Sequence, residues 1–130
     1  MAKLRVQEAQ ALFDAGLYNG AYYLAGYAIE CALKACIAKQ TQQHDFPDRQ
    51  RAIDAWKHDL KELLRATGLA PGLDESAKED PALQANWVIV KDWNVDSRYE
   101  KAMTQAEAQA LIQAVTDAHK GILVWLQDHW

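Results

Sequence analysis

The stretch that decides the fold is ALFDAGLYNGAYYLAGYAIECALKA, residues 11–35. Its alanines recur every three or four residues, which places them on one narrow face of a helix that we predict from about Asn19 to Lys39. That face contains Ala21, Ala25, Ala28, Ala32 and Ala35. Because small side chains let a neighbouring helix approach closely, we predict that this helix lies at the centre of a helical bundle.

The opposite face of the same helix carries a polar stripe, made of Tyr23, Tyr27, Glu30 and Lys34. One interpretation is a solvated face, on which Glu30 and Lys34 form an i, i+4 pair that contributes a few tenths of a kcal/mol. The other is a half-buried stripe, since tyrosines usually pack with their hydroxyl bonded and an ionised glutamate among them needs a cation. Lys34 and Arg98 are the candidate cations.

The remaining periodic segments also read as helices. We predict a first helix over Ala2–Ala15 that ends at Gly16, and a third helix over Asp48–Thr67 that ends at Gly68. A turn follows at Ala70–Gly72, and a fourth helix starts near Ser76, Glu79 and Pro81. The fifth helix runs from the Thr104–Glu107 capping box to Asp128. No stretch alternates with a period of two, so no strand is predicted. The sequence therefore indicates an all-α, up-and-down bundle of four to five helices in a single domain, residues 1–130.

Composition excludes several classes of protein. The chain has 130 residues and a formal net charge of −4, which disfavours nonspecific coating of nucleic acid. Its longest uncharged run, residues 15–29, is shorter than the roughly 20 apolar residues of a membrane span. Cys31 and Cys36 project about 140° apart on one helix, so they cannot form a disulfide with each other. The four histidines lack metal-ligand spacing, and no cofactor motif occurs. We expect a cytoplasmic protein without a metal, a cofactor or a membrane anchor.

Residues 11–35 resemble the signature of the HEPN (higher eukaryotes and prokaryotes nucleotide-binding) domain family, in which a helix ends at glycine and the next contains Ala-Ile-Glu-x-x-Leu-Lys-Ala. His58-Asp59-Leu60 and Asp96-Ser97-Arg98-Tyr99 are similar to later blocks of this family. The resemblance implies a compact helical bundle, often a homodimer, that is associated with nucleotide or RNA chemistry. Many such domains act beside a nucleotidyltransferase in toxin–antitoxin pairs, and others are metal-independent ribonucleases.

The ribonuclease motif of that family is an arginine, four to six residues, and a histidine, which Arg51 and His58 match at the longest spacing. His58 is then the candidate general base for a ribose 2′-hydroxyl, and Arg51 the candidate partner of the phosphate. On a single helix the two side chains would lie within about 20° of each other and face solvent or a partner subunit. Arg98 has no histidine within the next six residues, so it is expected to bind a phosphate or carboxylate, or to form a structural salt bridge.

Three hypotheses about function follow. The first is a nucleotide- or RNA-associated module of a toxin–antitoxin or defence system, with a nucleotidyltransferase partner and a homodimeric state. Its expected ligand face contains Tyr23, Tyr27, Glu30, Lys34, Trp93, Arg98 and Tyr99. The second is a metal-independent endoribonuclease that uses Arg51 and His58. The third is a helical adaptor without catalytic activity.

Overall fold

The computed structural model describes residues 1–43, 58–95 and 102–129. Its helices are α1 (Ala2–Asp14), α2 (Tyr18–Gln43), α3 (Leu60–Thr67), α4 (Ala70–Glu79), α5 (Pro81–Lys91), α6 (Gln105–Thr116) and α7 (Ile122–His129). These ranges contain no strand, so the predicted all-helical bundle is confirmed, with seven helices in the described residues instead of four or five. Within them one continuous cluster of buried side chains draws residues from every helix.

The second helix is the packed centre of the bundle, as its alanine face predicts. Helix α2 contacts α1, α3, α6 and α7, and the side chains of Ala21, Ala25, Ala28 and Ala32 are at most 1% exposed. Ala35 is exposed, so its predicted place in this contact face is wrong. Burial raises the pKa of the Cys31 thiol and the charge of Arg5, near the start of α1, opposes this rise, so α1 begins beside Cys31. Ala35 lies one helical turn further along α2, beyond the part of α2 that α1 covers.

The predicted helix ends at Gly16 and Gly68 are confirmed, and both glycines have positive φ angles, 79° and 77°. The capping box is confirmed too, because the Thr104 hydroxyl accepts from the Glu107 amide while the Glu107 carboxylate accepts from the Thr104 amide. A further bond fixes this end of α6 against α2, since the Met103 amide donates to Asn19 Oδ1 at 2.7 Å.

The segment before α5 differs from the prediction. Ala70–Gly72 forms the first turn of α4 instead of a free turn, because Pro71 sits where the helix needs no amide donor. Ser76 and Glu79 lie inside α4, so they do not cap the next helix. The carboxylate of Asp80 does so, accepting from the Ala82 amide at 3.1 Å and the Leu83 amide at 3.4 Å.

The predicted fifth helix is two helices, α6 and α7, separated at Asp117–Gly121. Asp117 Oδ1 accepts from the His119 and Lys120 amides at 2.9 and 2.8 Å, which holds the chain in a turn. Gly121 lies so close to the Asp117 carbonyl that a Cβ there would come within 2.5 Å of it. A side-chain hydrogen bond to local backbone therefore competes with helix at this point.

The structure describes only the second half of the predicted third helix, because residues 48–57 lie outside the described residues. His58 and Asp59 are not helical, so the predicted helix is interrupted at these two residues. Leu60 is the first residue of α3, and Asp59, in an extended conformation, accepts from the Glu62 amide at 3.1 Å. Two contacts then fix the direction of α3: His58 bonds Glu30, and Gln40 donates to the Thr67 carbonyl at 2.7 Å. Helix α3 therefore runs alongside the second half of α2 in the same sense.

Candidate functional site

Glu30 is a charged side chain in the interior of the bundle, with 1% of its surface exposed. It lies on α2 beside the buried Ile29 and one turn before the buried Leu33. Its Oε1 is 2.7 Å from His58 Nδ1, and its Oε2 is 3.9 Å from Lys34 Nζ. Each carboxylate oxygen thus faces a basic group, which offsets the cost of taking the charge out of water.

His58 reaches this carboxylate because it immediately precedes the Asp59 cap of α3. Its side chain keeps 53% of its surface exposed, although Nδ1 bonds a buried group. An ionised carboxylate only accepts hydrogen bonds, so the proton of a neutral His58 ring belongs on Nδ1. The second nitrogen, Nε2, is then left with its lone pair, and the exposed half of the ring offers it to a ligand.

The two tyrosines of the polar stripe stack on each other one turn away from Glu30. The Tyr23 and Tyr27 rings lie 6.0 Å apart with an interplanar angle of 8°, and Tyr23 also tilts against Trp93 at 5.9 Å. Trp93 rests on Gly26, where an added Cβ would come within 2.3 Å of its indole ring. With 2% of its surface exposed, Trp93 supports the tyrosines from beneath and offers no ring face to a ligand.

Tyr27 and Cys31 are both held in their neutral forms. The pKa of the Tyr27 hydroxyl is raised, first by the neighbouring Cys31 and then by burial and by Glu30. Burial and the charge of Glu30 raise the pKa of the Cys31 thiol, against the lowering effects of Tyr27 and Arg5. The site therefore contains one anion, Glu30, with neutral donors on one side and basic groups on the other.

The structure brings together four of the predicted ligand-face residues, Tyr23, Tyr27, Glu30 and Lys34, and adds His58 to them. Sequence reasoning placed His58 in a separate catalytic pair and proposed an arginine as the partner of Glu30. Arg51, Arg98 and Tyr99 lie outside the described residues. His58 is not helical and precedes the first residue of α3, so the predicted helix is not continuous through His58. The position of Arg51 relative to His58 stays a prediction. Asp59 with Glu62 three residues later was the signal for that start.

This arrangement suits proton transfer and binding of an anion at the surface. A carboxylate that holds Nδ1–H fixes the orientation of the imidazole, as the acid does in hydrolytic triads. Lys34, with 33% of its side chain exposed, supplies a second positive charge beside the ring. In the described residues, no three His, Cys, Asp or Glu side chains are placed to share a metal ion, and no helix has the length and hydropathy of a membrane span.

The described residues form an all-helical bundle around a central helix with a small-residue face, and a buried glutamate of that helix bonds a basic edge. The family model of the HEPN domain matches residues 1–122 of this chain. The chain therefore belongs to the HEPN domain family, and the predicted resemblance is confirmed. No curated protein and no solved structure is a significant match. Membership of the family supports a nucleotide- or RNA-associated module.

Proposed function

We propose that this chain binds nucleotides or RNA at the surface formed by Tyr23, Tyr27, Lys34 and His58, which we call the dyad surface. The observation that carries the proposal is the 2.7 Å bond between the buried Glu30 carboxylate and the half-exposed His58 ring. A surface histidine needs no buried partner for stability alone, because water solvates it well. A fixed ring with one outward nitrogen is an arrangement typical of a ligand site.

The chemistry of the dyad surface matches the parts of a nucleotide. In its imidazolium form His58 donates Nε2–H to a phosphate oxygen while Nδ1–H stays bonded to Glu30, and Lys34 Nζ donates to a second phosphate oxygen. Charge-assisted hydrogen bonds of this kind are the strongest that side chains make. The stacked Tyr23 and Tyr27 rings lie beyond them and provide aromatic surface on which a base can stack. Because Glu30 is buried beneath His58, its negative charge orients the ring without facing the phosphate directly.

The test is binding of single-stranded RNA and of ATP to the whole chain, measured by fluorescence anisotropy and calorimetry. We expect His58→Ala and Lys34→Ala each to weaken binding by about tenfold, the loss of one charge-assisted hydrogen bond. His119→Ala and Lys78→Ala are matched controls, since these basic residues are exposed elsewhere in the bundle and should bind as wild type does. Equal binding by all four variants, or none by the wild type, would contradict the proposal.

A metal-independent endoribonuclease is the second candidate, and the Glu30–His58 bond favours it specifically. In this reaction His58 Nε2 takes the proton of a ribose 2′-hydroxyl, whose oxygen attacks the adjacent phosphorus. The bond from phosphorus to the 5′-oxygen of the next nucleotide breaks, this oxygen takes a proton from solvent water, and a 2′,3′-cyclic phosphate remains. Glu30 stabilises the imidazolium that forms. Arg51 is proposed to neutralise the phosphate charge.

Cleavage of single-stranded RNA in EDTA separates the two candidates. The ribonuclease requires activity that His58→Ala and Arg51→Ala abolish, whereas Glu30→Gln lowers it by a smaller factor because the amide oxygen still accepts from Nδ1–H. If the wild type and His58→Ala leave RNA equally intact while nucleotide binding persists, the chain is a binding module. If RNA and nucleotides both fail to bind, the helical adaptor is favoured.

The biological setting is part of the same proposal and is supported by family membership. The chain acts in a toxin–antitoxin or defence system, as a homodimer with a nucleotidyltransferase as its protein partner. Co-expression with a minimal nucleotidyltransferase encoded beside it should then yield a stable complex and relieve growth inhibition caused by the chain alone. A chain that has no effect on growth and does not co-purify with that enzyme would contradict this setting.

A further inference from the structure

The dyad surface lies on a stripe of α2 that has a neighbouring helix on each side. Helix α2 packs against both α1 and α3. At about 100° per residue, Cys31 projects about 100° to one side of Glu30, and Gln40 projects about 80° to the other side. Gln40 bonds the Thr67 carbonyl of α3, whereas the Cys31 thiol senses the charge of Arg5 on α1. The exposed stripe is therefore bordered by α1 on the Cys31 side and by α3 on the opposite side.

The packing register of α1 on α2 sets Arg5 level with Tyr27 of the dyad surface. The two helices are joined by a turn of three residues, so they run antiparallel. A Cβ added at Gly20 would lie 3.0 Å from the Leu12 side chain, which makes these two residues neighbours across the contact. Both helices rise about 1.5 Å per residue. Arg5 precedes Leu12 by as many residues as Tyr27 follows Gly20, so Arg5 lies opposite Tyr27.

The guanidinium of Arg5 is only partly engaged among the described residues. Its Nη2 lies 3.1 Å from Glu8 Oε1, one turn along α1, and 23% of the side chain is exposed. Its Nε is buried and has no hydrogen-bond partner in that part of the chain. A guanidinium carries five N–H donors in a rigid fork, and a single surface glutamate does not occupy them all. Arg5 is therefore able to donate to a further anion beside Tyr27.

We propose that Arg5 binds a second phosphate of the RNA strand whose first phosphate lies at His58 and Lys34. This inference rests on the proposed function and narrows its ligand to single-stranded RNA with at least two consecutive phosphates. The axes of packed helices lie about 8–10 Å apart, so cations on opposite sides of α2 are too far apart to hold one phosphate. Two phosphates of one strand can reach both, and the nucleotide between them lies over Tyr27, whose ring can stack a base.

The test compares a short labelled oligoadenylate, which has several phosphates, with AMP, which has one. Binding of the oligoadenylate to the whole chain is measured by fluorescence anisotropy, and binding of AMP by NMR titration. Arg5→Gln should weaken oligoadenylate binding by about tenfold, the loss of one charge-assisted hydrogen bond, and leave AMP binding unchanged. The slope of log K against log salt should also become shallower by about 0.7, the value for one phosphate contact on a single strand.

Two further variants separate phosphate binding from a structural role of Arg5. Lys3→Gln is the matched control, because it removes a positive charge from the same helix where Lys3 lines a groove with Gln127 of α7, and it should bind as the wild type does. Glu8→Gln should strengthen oligoadenylate binding by about threefold, because it removes the exposed anion that competes for Arg5. A merely structural ion pair predicts no gain, so Glu8→Gln decides the matter even if Arg5→Gln fails to fold.

Three results would overturn the inference while the proposed function stands. They are oligoadenylate binding that His58→Ala weakens and Arg5→Gln does not, equal losses of oligoadenylate and AMP affinity in Arg5→Gln, and a loss in Lys3→Gln as large as that in Arg5→Gln. If the wild type binds neither oligoadenylate nor AMP, the proposed function and this inference fail together.

Discussion

Two carboxylates tie distant parts of this chain together, and their surroundings differ. Glu30 bonds His58, 28 residues away, and Asp80 bonds Lys120, 40 residues away. The Glu30 side chain is 1% exposed, whereas that of Asp80 is 26% exposed. Asp80 also caps α5, so a helix start and a surface ion pair account for its position. Among the described residues Glu30 caps no helix, and its partners there are His58 and Lys34 of the dyad surface.

The difference teaches how to distinguish a functional carboxylate from a structural one in a small helical bundle. When a surface ion pair forms, each charged group replaces contacts with water by a contact with its partner, so the net gain in folding stability is small. Salt also screens this interaction. A buried carboxylate offers no such exchange, so its partners must stay in place for the fold to hold. The chain therefore retains a buried carboxylate at Glu30 despite the free-energy cost of its desolvation. The role of this carboxylate is to orient the His58 ring.

The largest expected effect comes from removing the buried carboxylate. Glu30→Ala should destabilise the fold by about 2–5 kcal/mol, because it leaves a cavity where a fully buried side chain packed and removes the acceptor of the His58 hydrogen bond. Urea unfolding followed by circular dichroism measures this. Glu30→Gln is the control, because it keeps the shape and an acceptor for Nδ1–H, and it should lose much less. Were Glu30→Ala as stable as Asp80→Ala, the two carboxylates would not differ and the comparison would fail.

Removing the basic partner should give the next largest effect. His58→Ala leaves Oε1 of Glu30 without the donor that lies 2.7 Å from it, which we expect to cost about 1–3 kcal/mol. Lys120→Ala should lower the melting temperature less, because Asp80 is 26% exposed and water can replace Lys120 there, whereas water does not reach the buried Glu30. High salt should erase the Lys120 effect and preserve that of His58. The same salt sensitivity in both variants would mean that water solvates Glu30.

The smallest expected effect is on how folding stability depends on pH in acidic solution. A hydrogen bond from Lys120 lowers the pKa of Asp80, and the backbone amides of Lys120 and His119 lower the pKa of Asp117. Both acids are ionised at neutral pH in either state, so their stabilisation is complete there. Below about pH 4 the unfolded chain takes up protons first, and stability falls until the folded acids are protonated too. Asp80→Asn should make this decline shallower in melting curves recorded from pH 6 to pH 2, and an unchanged slope would contradict the assignment.

Much of the fold could be predicted from local signals. The alanine face of α2, the glycines at 16 and 68, and the Thr104–Glu107 capping box each act within one or two helical turns, so the chain alone reports them. The errors came where two local signals compete. Asp80 caps α5 in preference to Ser76, and Asp117 bonds its own backbone, which interrupts a helix that its apolar pattern favours.

The candidate site could be predicted only in part. Tyr23, Tyr27, Glu30 and Lys34 share one helix face, and helical periodicity is enough to group them. The addition of His58 depends on α3 running alongside α2 in the same sense, which is a tertiary arrangement that no spacing in the sequence specifies. The burial of Glu30 is likewise a tertiary property, because helical periodicity alone does not show which face of α2 is covered.

The most direct test of the account is the protonation of the His58 ring in solution, observed by long-range ¹H–¹⁵N NMR of the histidine side chains. The account predicts that neutral His58 carries its proton on Nδ1 in the wild type, with a hydrogen-bonded Nδ1–H signal that disappears in Glu30→Ala. The exposed His119 serves as the reference, and it should show the mixture of tautomers of a free imidazole in both proteins. A His58 spectrum that matches His119 and ignores the Glu30 substitution would contradict the central claim.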